Sequence, residues 1–263
     1  MKIQYVSDLH LEFRVNSQFI AQKPLVPVGD VLVIAGDTMY LKDVERFKKH
    51  KFFSFCSKNF KQTLLVPGNH EYYDDNLENY SDSFEIELRP NVRICQNKSV
   101  VIDDTEFILS TMWTRIPDKG WRKLQAGMID FHAIRTGSRL LTASVYNQMH
   151  ERDLAFIQSA VNESKAAHKV VVTHHVPTRL CVSPEFKGST LGSCFTVDLT
   201  DYIESSGIDL WVYGHSHRSI DCIIGNTSVV SNQVGYTFYG EHNWNYRTDC
   251  AIELKKTRKY DHR

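Results

Sequence analysis

Residues 31–37 read Val31-Leu32-Val33-Ile34-Ala35-Gly36-Asp37: an unbroken aliphatic run, then a glycine, then a carboxylate. The run is short and rich in β-branched side chains, so it reads as a buried strand. Shorter copies of the pattern recur at 3–6, 63–66, 107–109, 169–172 and 210–212, each closed by turn residues. Helical stretches fall between several of them. Asp43 is placed to cap a helix carrying Val44, Phe47 and Phe55 on one side. Thr142 opens a longer one with Val145, Met149, Leu154, Ile157 and Val161. A third runs from Asp198 through Ile203, with Gly207 at its C′ position. Strands alternating with helices predict βαβ units and a largely parallel sheet in the first half. After Gly207 the pattern turns to strands and turns without a helix, which predicts a second sheet packed on the first.

Composition limits the function classes. Lys+Arg and Asp+Glu both number 31, so no global field favours nucleic acid or an anionic membrane. None of the six cysteines forms a C-x-x-C pair, which excludes a zinc-ribbon or thioredoxin reading and suits a reducing cytoplasm. The first residues lead into Ser7-Asp8 without an apolar signal region, and no aliphatic run can span a bilayer. The expectation is a cytoplasmic protein with no membrane partner. Without repeats or a linker, residues 1–263 read as a single domain. Its long segments, 113–141 and 178–196, are the places to look for substrate contacts.

The chemistry lies at the strand ends. Asp8-Leu9-His10 follows the first run, Gly36-Asp37 the second and Gly68-Asn69-His70-Glu71 the third. His174-His175 follows the run at 169–172, and Gly214-His215-Ser216-His217 the run at 210–212. In an extended chain, residues two apart share a face, which puts Asp8 with His10 and His215 with His217. Each motif alone is an ordinary turn. Five in order, each closing an apolar run, make a site. Oxygen and imidazole donors without thiolate suit Mn, Fe or Zn. Their number exceeds one tetrahedral ion and suits two ions sharing a carboxylate, the arrangement that serves phosphoester hydrolysis.

This ordered set, spanning residues 8–217, resembles the calcineurin-like metallophosphoesterase superfamily. The resemblance implies an α/β fold: a four-layer α/β/β/α sandwich of two mixed sheets, helices on the outer faces and the metal site at the strand carboxyl ends. It also implies two divalent transition-metal ions. Carried over by motif, Asp8, His10 and His217 hold one ion, Asp37 bridges both, and Asn69, His174 and His215 hold the second. Of the adjacent histidines, His174 is favoured as the ligand because it lies closer to the strand; His175 then faces substrate or supports the loop. Family members often carry a second acid three residues after the bridging aspartate, but Thr38-Met39-Tyr40 follows Asp37 here. Glu71 is the substitute for orienting His70.

His70 follows the ligand Asn69 and falls outside the ligand count, which makes it the candidate to protonate the leaving oxygen. Arg115 and Arg135 are candidates to clamp a phosphate or carboxylate, and Tyr40, Tyr72, Trp113 and Trp121 to stack on a base. The leading function is hydrolysis of small or nucleotide-like phosphate mono- or diesters. A nuclease is the alternative if the basic runs at 48–51 and 255–259 flank the cleft, nucleic acid being the less favoured partner. A non-catalytic scaffold is the third reading, opposed by the intact ligand set.

Overall fold

The computed structural model describes residues 1–184 and 192–254. Five strands open the chain in one sheet: β1 (Lys2–Val6), β2 (Val31–Ala35), β3 (Gln62–Val66), β4 (Phe84–Arg89) and β5 (Val92–Gln96). Six more build a second sheet: β6 (Lys98–Ile102), β7 (Thr105–Leu109), β8 (His168–Val172), β9 (Leu210–Tyr213), β10 (Cys222–Ile224) and β11 (Thr227–Ser231). Finally β12 (Ala251–Glu253) returns to pair antiparallel with β1. The first sheet runs β12-β1-β2-β3-β5-β4 and the second β10-β11-β9-β8-β7-β6. Both are mixed. β1, β2, β3 and β5 are parallel neighbours, as are β7, β8, β9 and β11, while the edge strands run antiparallel.

Alternation along each strand sorts its side chains between two packed layers. Val31, Val33 and Ala35 of β2 face Phe107, Val170 and Val212 in a core between the sheets. Leu32 and Ile34 turn the other way, toward Ile20, Phe47 and Phe53 of the helices Arg14–Gln22, Val44–Lys49 and Lys51–Asn59. Across the molecule, Val171 and Trp211 pack on Ile157, Val161 and Ile203 from the helices Ala143–Glu163 and Thr200–Ser206. The result is the expected order of helices, sheet, sheet, helices. Each fully buried Val, Leu or Ile in these layers stabilises by roughly 1.5–3 kcal/mol.

Three local expectations change. The second sheet begins at Lys98, far ahead of Gly207. Its edge strand β6 alternates in exposure although Val100-Val101-Ile102 is a short aliphatic run, and it turns at Asp103. The helix expected from Asp43 is two helices, broken at His50, whose backbone is extended and whose Nδ1 accepts from Phe52 N at 3.3 Å; the Asp43 side chain makes no capping bond. Segment 113–141 is structured, with helices Trp121–Gly127 and Asp130–Ala133 and a short ribbon of Ile134–Thr136 with Arg139–Leu140. As expected, Thr142 caps the long helix and Gly207 ends its own in the left-handed region at φ 66°. Residues 185–191 of the second long segment lie outside the described residues. Among the described residues no helix is long and apolar enough to cross a membrane.

Candidate metal centre

Parallel pairing brings the carboxyl ends of β1, β2 and β3 to one edge, and those of β8 and β9 to the matching edge of the other sheet. Backbone bonds join the turns that follow: Asp8 N to Gly36 O at 3.0 Å, His10 N to Asp37 O at 2.9 Å, and Gly214 N to His174 O at 2.9 Å. The turns are tight. Asp8, His10, Asp37, His215 and His217 all have positive φ, between 46° and 75°. The extended-chain reading of Asp8-x-His10 and His215-x-His217 is therefore wrong in mechanism, although each pair does share the site. Left-handed backbone costs an L-residue about 1–2 kcal/mol, and Asp and His are among the types that tolerate it best. A Cβ at Gly68 would collide with Asp37 and with His174 Nε2, so only glycine lets these turns approach.

Two groups of donors result, sharing Asp37. In the first, atoms of Asp8, His10, Asp37 and His217 all lie within 4.8 Å of one another; in the second, those of Asp37, His174 and His215 do. Asp37 Oδ2 is 3.8 Å from His10 Nε2, while Oδ1 is 3.3 Å from His174 Nε2. Asn69 adds its Oδ1 to the second group, 2.9 Å from His174 Nε2. The Asn69 amide is oriented by donating to Tyr73 Oη at 2.8 Å and Asp130 Oδ1 at 3.0 Å.

What each ring offers is set from behind. His10 Nδ1 faces Glu12 Oε1 at 3.1 Å, His217 Nδ1 faces Glu241 Oε2 at 2.6 Å, and His174 Nδ1 faces the Ala35 carbonyl at 2.9 Å. Acceptors there put a proton on Nδ1, and a neutral ring then turns its Nε2 lone pair to the site. Burial would lower His174 and His217, but Asp37 raises the first to about 9 and Glu241 with Asp8 raises the second. Yet His10 Nε2 lies 3.0 Å from His217 Nε2, and His174 Nε2 lies 3.1 Å from His215 Nδ1. Nitrogens and carboxylates this close repel unless protons or cations lie between them. The donor set is nitrogen and oxygen throughout, and it fits two divalent ions.

Burial opposes ionisation of Asp37, but positive charge on His174 and His70 outweighs it and holds the carboxyl well below its usual range. Burial, with His175 and His174 beside it, drives His215 well below an ordinary histidine. Burial also lowers His175, helped by His174. His175 points away from Asp37: its Nε2 meets Tyr146 Oη at 3.3 Å and its ring lies against Trp113.

His70 lies beside the first group, its Nε2 4.0 Å from Asp37 Oδ2. Its Nδ1 is held by Glu12 Oε1 at 3.0 Å, and its Nε2 meets Tyr236 Oη at 3.1 Å. Burial alone would lower it, but Asp37 and Glu12 push it up to about 9. The residue orienting His70 is thus Glu12 in place of Glu71. Glu71 instead accepts backbone N–H bonds from Asp37, Thr38 and Gly68 at 3.0, 2.6 and 2.7 Å, tying two of the turns together. Burial and the Asp37 carboxylate push it up to about 8.

The expected substrate residues disperse. Tyr40 is half-buried, its ring 6.4 Å from His70. Arg115 pairs with Asp118 at 3.7 Å, and Arg135 donates to Ser138 O at 2.9 Å within its own ribbon. Trp113 and Tyr72 are core residues, while Trp121 is 40% exposed at a helix start. Of the basic runs, Lys48 pairs with Glu45, and 255–259 lies outside the described residues. Sequence reasoning missed Glu12, Tyr236 and Glu241. Glu12 had a signal, since it continues the Asp8-x-His10 spacing by one more step of two.

A sequence model described as calcineurin-like phosphoesterase matches residues 1–219. An uncharacterized protein of Acanthamoeba polyphaga mimivirus is 28% identical over 266 residues, covering 92% of this chain and 94% of that protein. Among solved structures, phosphopantetheinyl hydrolase from Mycobacterium tuberculosis superposes with a TM-score of 0.69 at 15% identity, over 98% of this chain and 97% of that one. That likeness is one of fold.

Proposed function

The chain belongs to the calcineurin-like phosphoesterase family, hydrolases acting on phosphate esters, and from that premise we propose that it cleaves small or nucleotide-like mono- or diesters with two metal ions. The supporting observation is the convergence of imidazole nitrogens on both oxygens of Asp37. Asp8, His10 and His217 would hold one ion, Asn69, His174 and His215 the other, with Asp37 between them; Mn, Fe or Zn suits these donors. When bound, such a pair supplies Lewis-acid charge to the phosphoryl oxygens and acidifies water.

The chain's own residues do the rest. Glu12 and Glu241 fix the tautomers of His10 and His217, and the Ala35 carbonyl fixes that of His174. Water adds its oxygen to phosphorus as the ester P–O bond breaks, and His70 gives a proton to the departing oxygen. Glu12 holds the far side of His70, so only Nε2 can donate. All six cysteines are free, and on that ground we assign a reducing compartment, the cytoplasm. We treat the chain as one domain.

Elemental analysis of purified protein should give two transition ions per chain, and Asp37→Ala should lose both, because two cations without a bridge repel. Metal-loaded protein should hydrolyse members of a panel of aryl phosphate mono- and diesters, nucleotides and oligonucleotides. Full retention of both ions by Asp37→Ala would remove the bridge from this reading.

A further inference from the structure

One aromatic feature at the mouth of the site is left unused by that chemistry. Tyr236 packs on both histidines of the first donor group, its ring 4.6 Å from His10 and 4.6 Å from His217. Phe238 stacks on Tyr236 at 5.3 Å and 23°, and Tyr239 follows at 4.6 Å. Phe13 flanks them, 5.8 Å from Tyr236 and 5.9 Å from Phe238. The rings thus run without a gap from the donors to solvent, where Phe238 is 48% and Tyr239 73% exposed.

The ladder is held rigid. Buried Asn16 accepts from Thr237 N and Oγ1 at 3.1 and 2.8 Å and donates to Leu9 O and Gly235 O at 3.0 and 2.8 Å. Glu241 Oε2 accepts from Tyr236 N at 2.6 Å and also faces His217. One carboxylate therefore fixes both the aromatic turn and a metal-facing imidazole. Exposed aromatic side chains gain nothing from water, and a contiguous patch of them marks a binding surface.

We propose that Phe13, Tyr236, Phe238 and Tyr239 form the subsite that receives a flat aromatic ring carried by the substrate, the base of a nucleoside phosphate. The proposal rests on the phosphoesterase reading above and names its substrate class. Position argues for the leaving-group side. The ladder starts where Tyr236 Oη meets His70 Nε2, the nitrogen that serves the departing oxygen. A phosphate placed between the two donor groups, with its ester oxygen toward His70, directs the rest of the molecule over these rings. Stacking on a π-face suits any base, because it needs no hydrogen-bond pattern.

The test uses a matched pair: adenosine 5′-monophosphate and ribose 5-phosphate, which differ by the adenine alone. Metal-loaded protein should prefer the nucleotide in kcat/KM, mostly through KM. Phe238→Ala and Tyr239→Ala should each shrink that preference by about 5- to 150-fold, the range of stacking on one base. Both side chains are exposed, so the variants should fold. Phenyl phosphate against methyl phosphate separates a ring effect from a base effect. Hydrolysis of aryl phosphates with no adenine preference, or a preference untouched in the double variant Phe238→Ala with Tyr239→Ala, would overturn the subsite and leave the hydrolase reading standing. If no ester is cleaved, calorimetric binding of the same pair decides: a nucleotide preference lost in the double variant supports the subsite even as the hydrolase reading fails, and equal binding overturns it.

Discussion

Replacing Glu12 by glutamine isolates the charge behind two histidines. One oxygen, Oε1, lies 3.1 Å from His10 Nδ1 and 3.0 Å from His70 Nδ1, in a side chain only 3% exposed. Burial pulls this carboxyl upward, but the hydrogen bonds from His10 and His70 outweigh it and hold Glu12 below its usual range, so it acts as a carboxylate. Oε2 has no hydrogen-bond partner among the described residues. In Glu12→Gln the amide oxygen can keep both bonds while the NH2 takes the vacant side, leaving shape intact. Hydrogen bonds to a charged group contribute about 1.5–3 kcal/mol and neutral ones about 0.5–1.5, so each bond loses about 1 kcal/mol. That is about 5-fold per histidine. Through His10 it should weaken the ion bound by Asp8, His10 and His217 about 5-fold in a calorimetric titration. Through His70 it should lower kcat about 5-fold at saturating metal. Glu71→Gln is the contrast: its amide would turn hydrogens toward backbone N–H donors, costing stability of about 1–3 kcal/mol. If Glu12→Gln changes neither quantity while Glu71→Gln lowers kcat in a protein of unchanged melting temperature, Glu71 orients His70 and the assignment is refuted.

Three further outcomes follow from the same contacts. His174→Ala should weaken the second ion selectively and His175→Ala leave metal content nearly intact; elemental analysis giving the opposite ranking would move the ligand role to His175. In His70→Ala both ions should remain while kcat falls about 10²–10⁴-fold on alkyl esters. The loss should be far smaller with a nitrophenolate leaving group, and an equal loss on both would reduce His70 to positioning. Away from the metals, burial raises Asp153 to about 6 against hydrogen bonds from Asn97 and Gln96. The folded state then holds a proton that the unfolded chain releases near pH 4, so this group's contribution to stability falls by about 3 kcal/mol as pH rises from 4 to 6. In urea titrations of chelated protein, Asp153→Asn should gain about that much on wild type between pH 4 and pH 7; a pH-independent difference would show Asp153 ionising normally.

The sequence marked the candidate donors but only part of what aims them, and the reason is chemical. The candidate donors are Asp, Asn and His residues that stand where a strand stops, so residue type and position together mark them. An orienting group needs only an acceptor atom in the right place. His10 takes the carboxylate of Glu12, His217 that of Glu241, and His174 the backbone carbonyl of Ala35. These share a geometry and no residue type. Glu241 reaches His217 across 24 residues and Tyr236 reaches His70 across 166, distances over which no local spacing carries information. The edge strand β4 escaped notice for a related reason: half exposed, it alternates where the central strands run aliphatic. The backbone of the site was legible only in part. Gly36, Gly68 and Gly214 mark close approach, but nothing in Asp8-x-His10 announces that both residues are left-handed. Five of the seven donors carry that strain, roughly 5–10 kcal/mol in sum at about 1–2 each. Strain of this size persists only where surrounding contacts over-determine it. Here the contacts are visible: the inter-turn backbone bonds, the Glu71 carboxyl group on four N–H groups and the tight glycines. The donors are therefore held together by the protein itself, which is what a site must do if it is to select its ions by geometry and not be shaped by them.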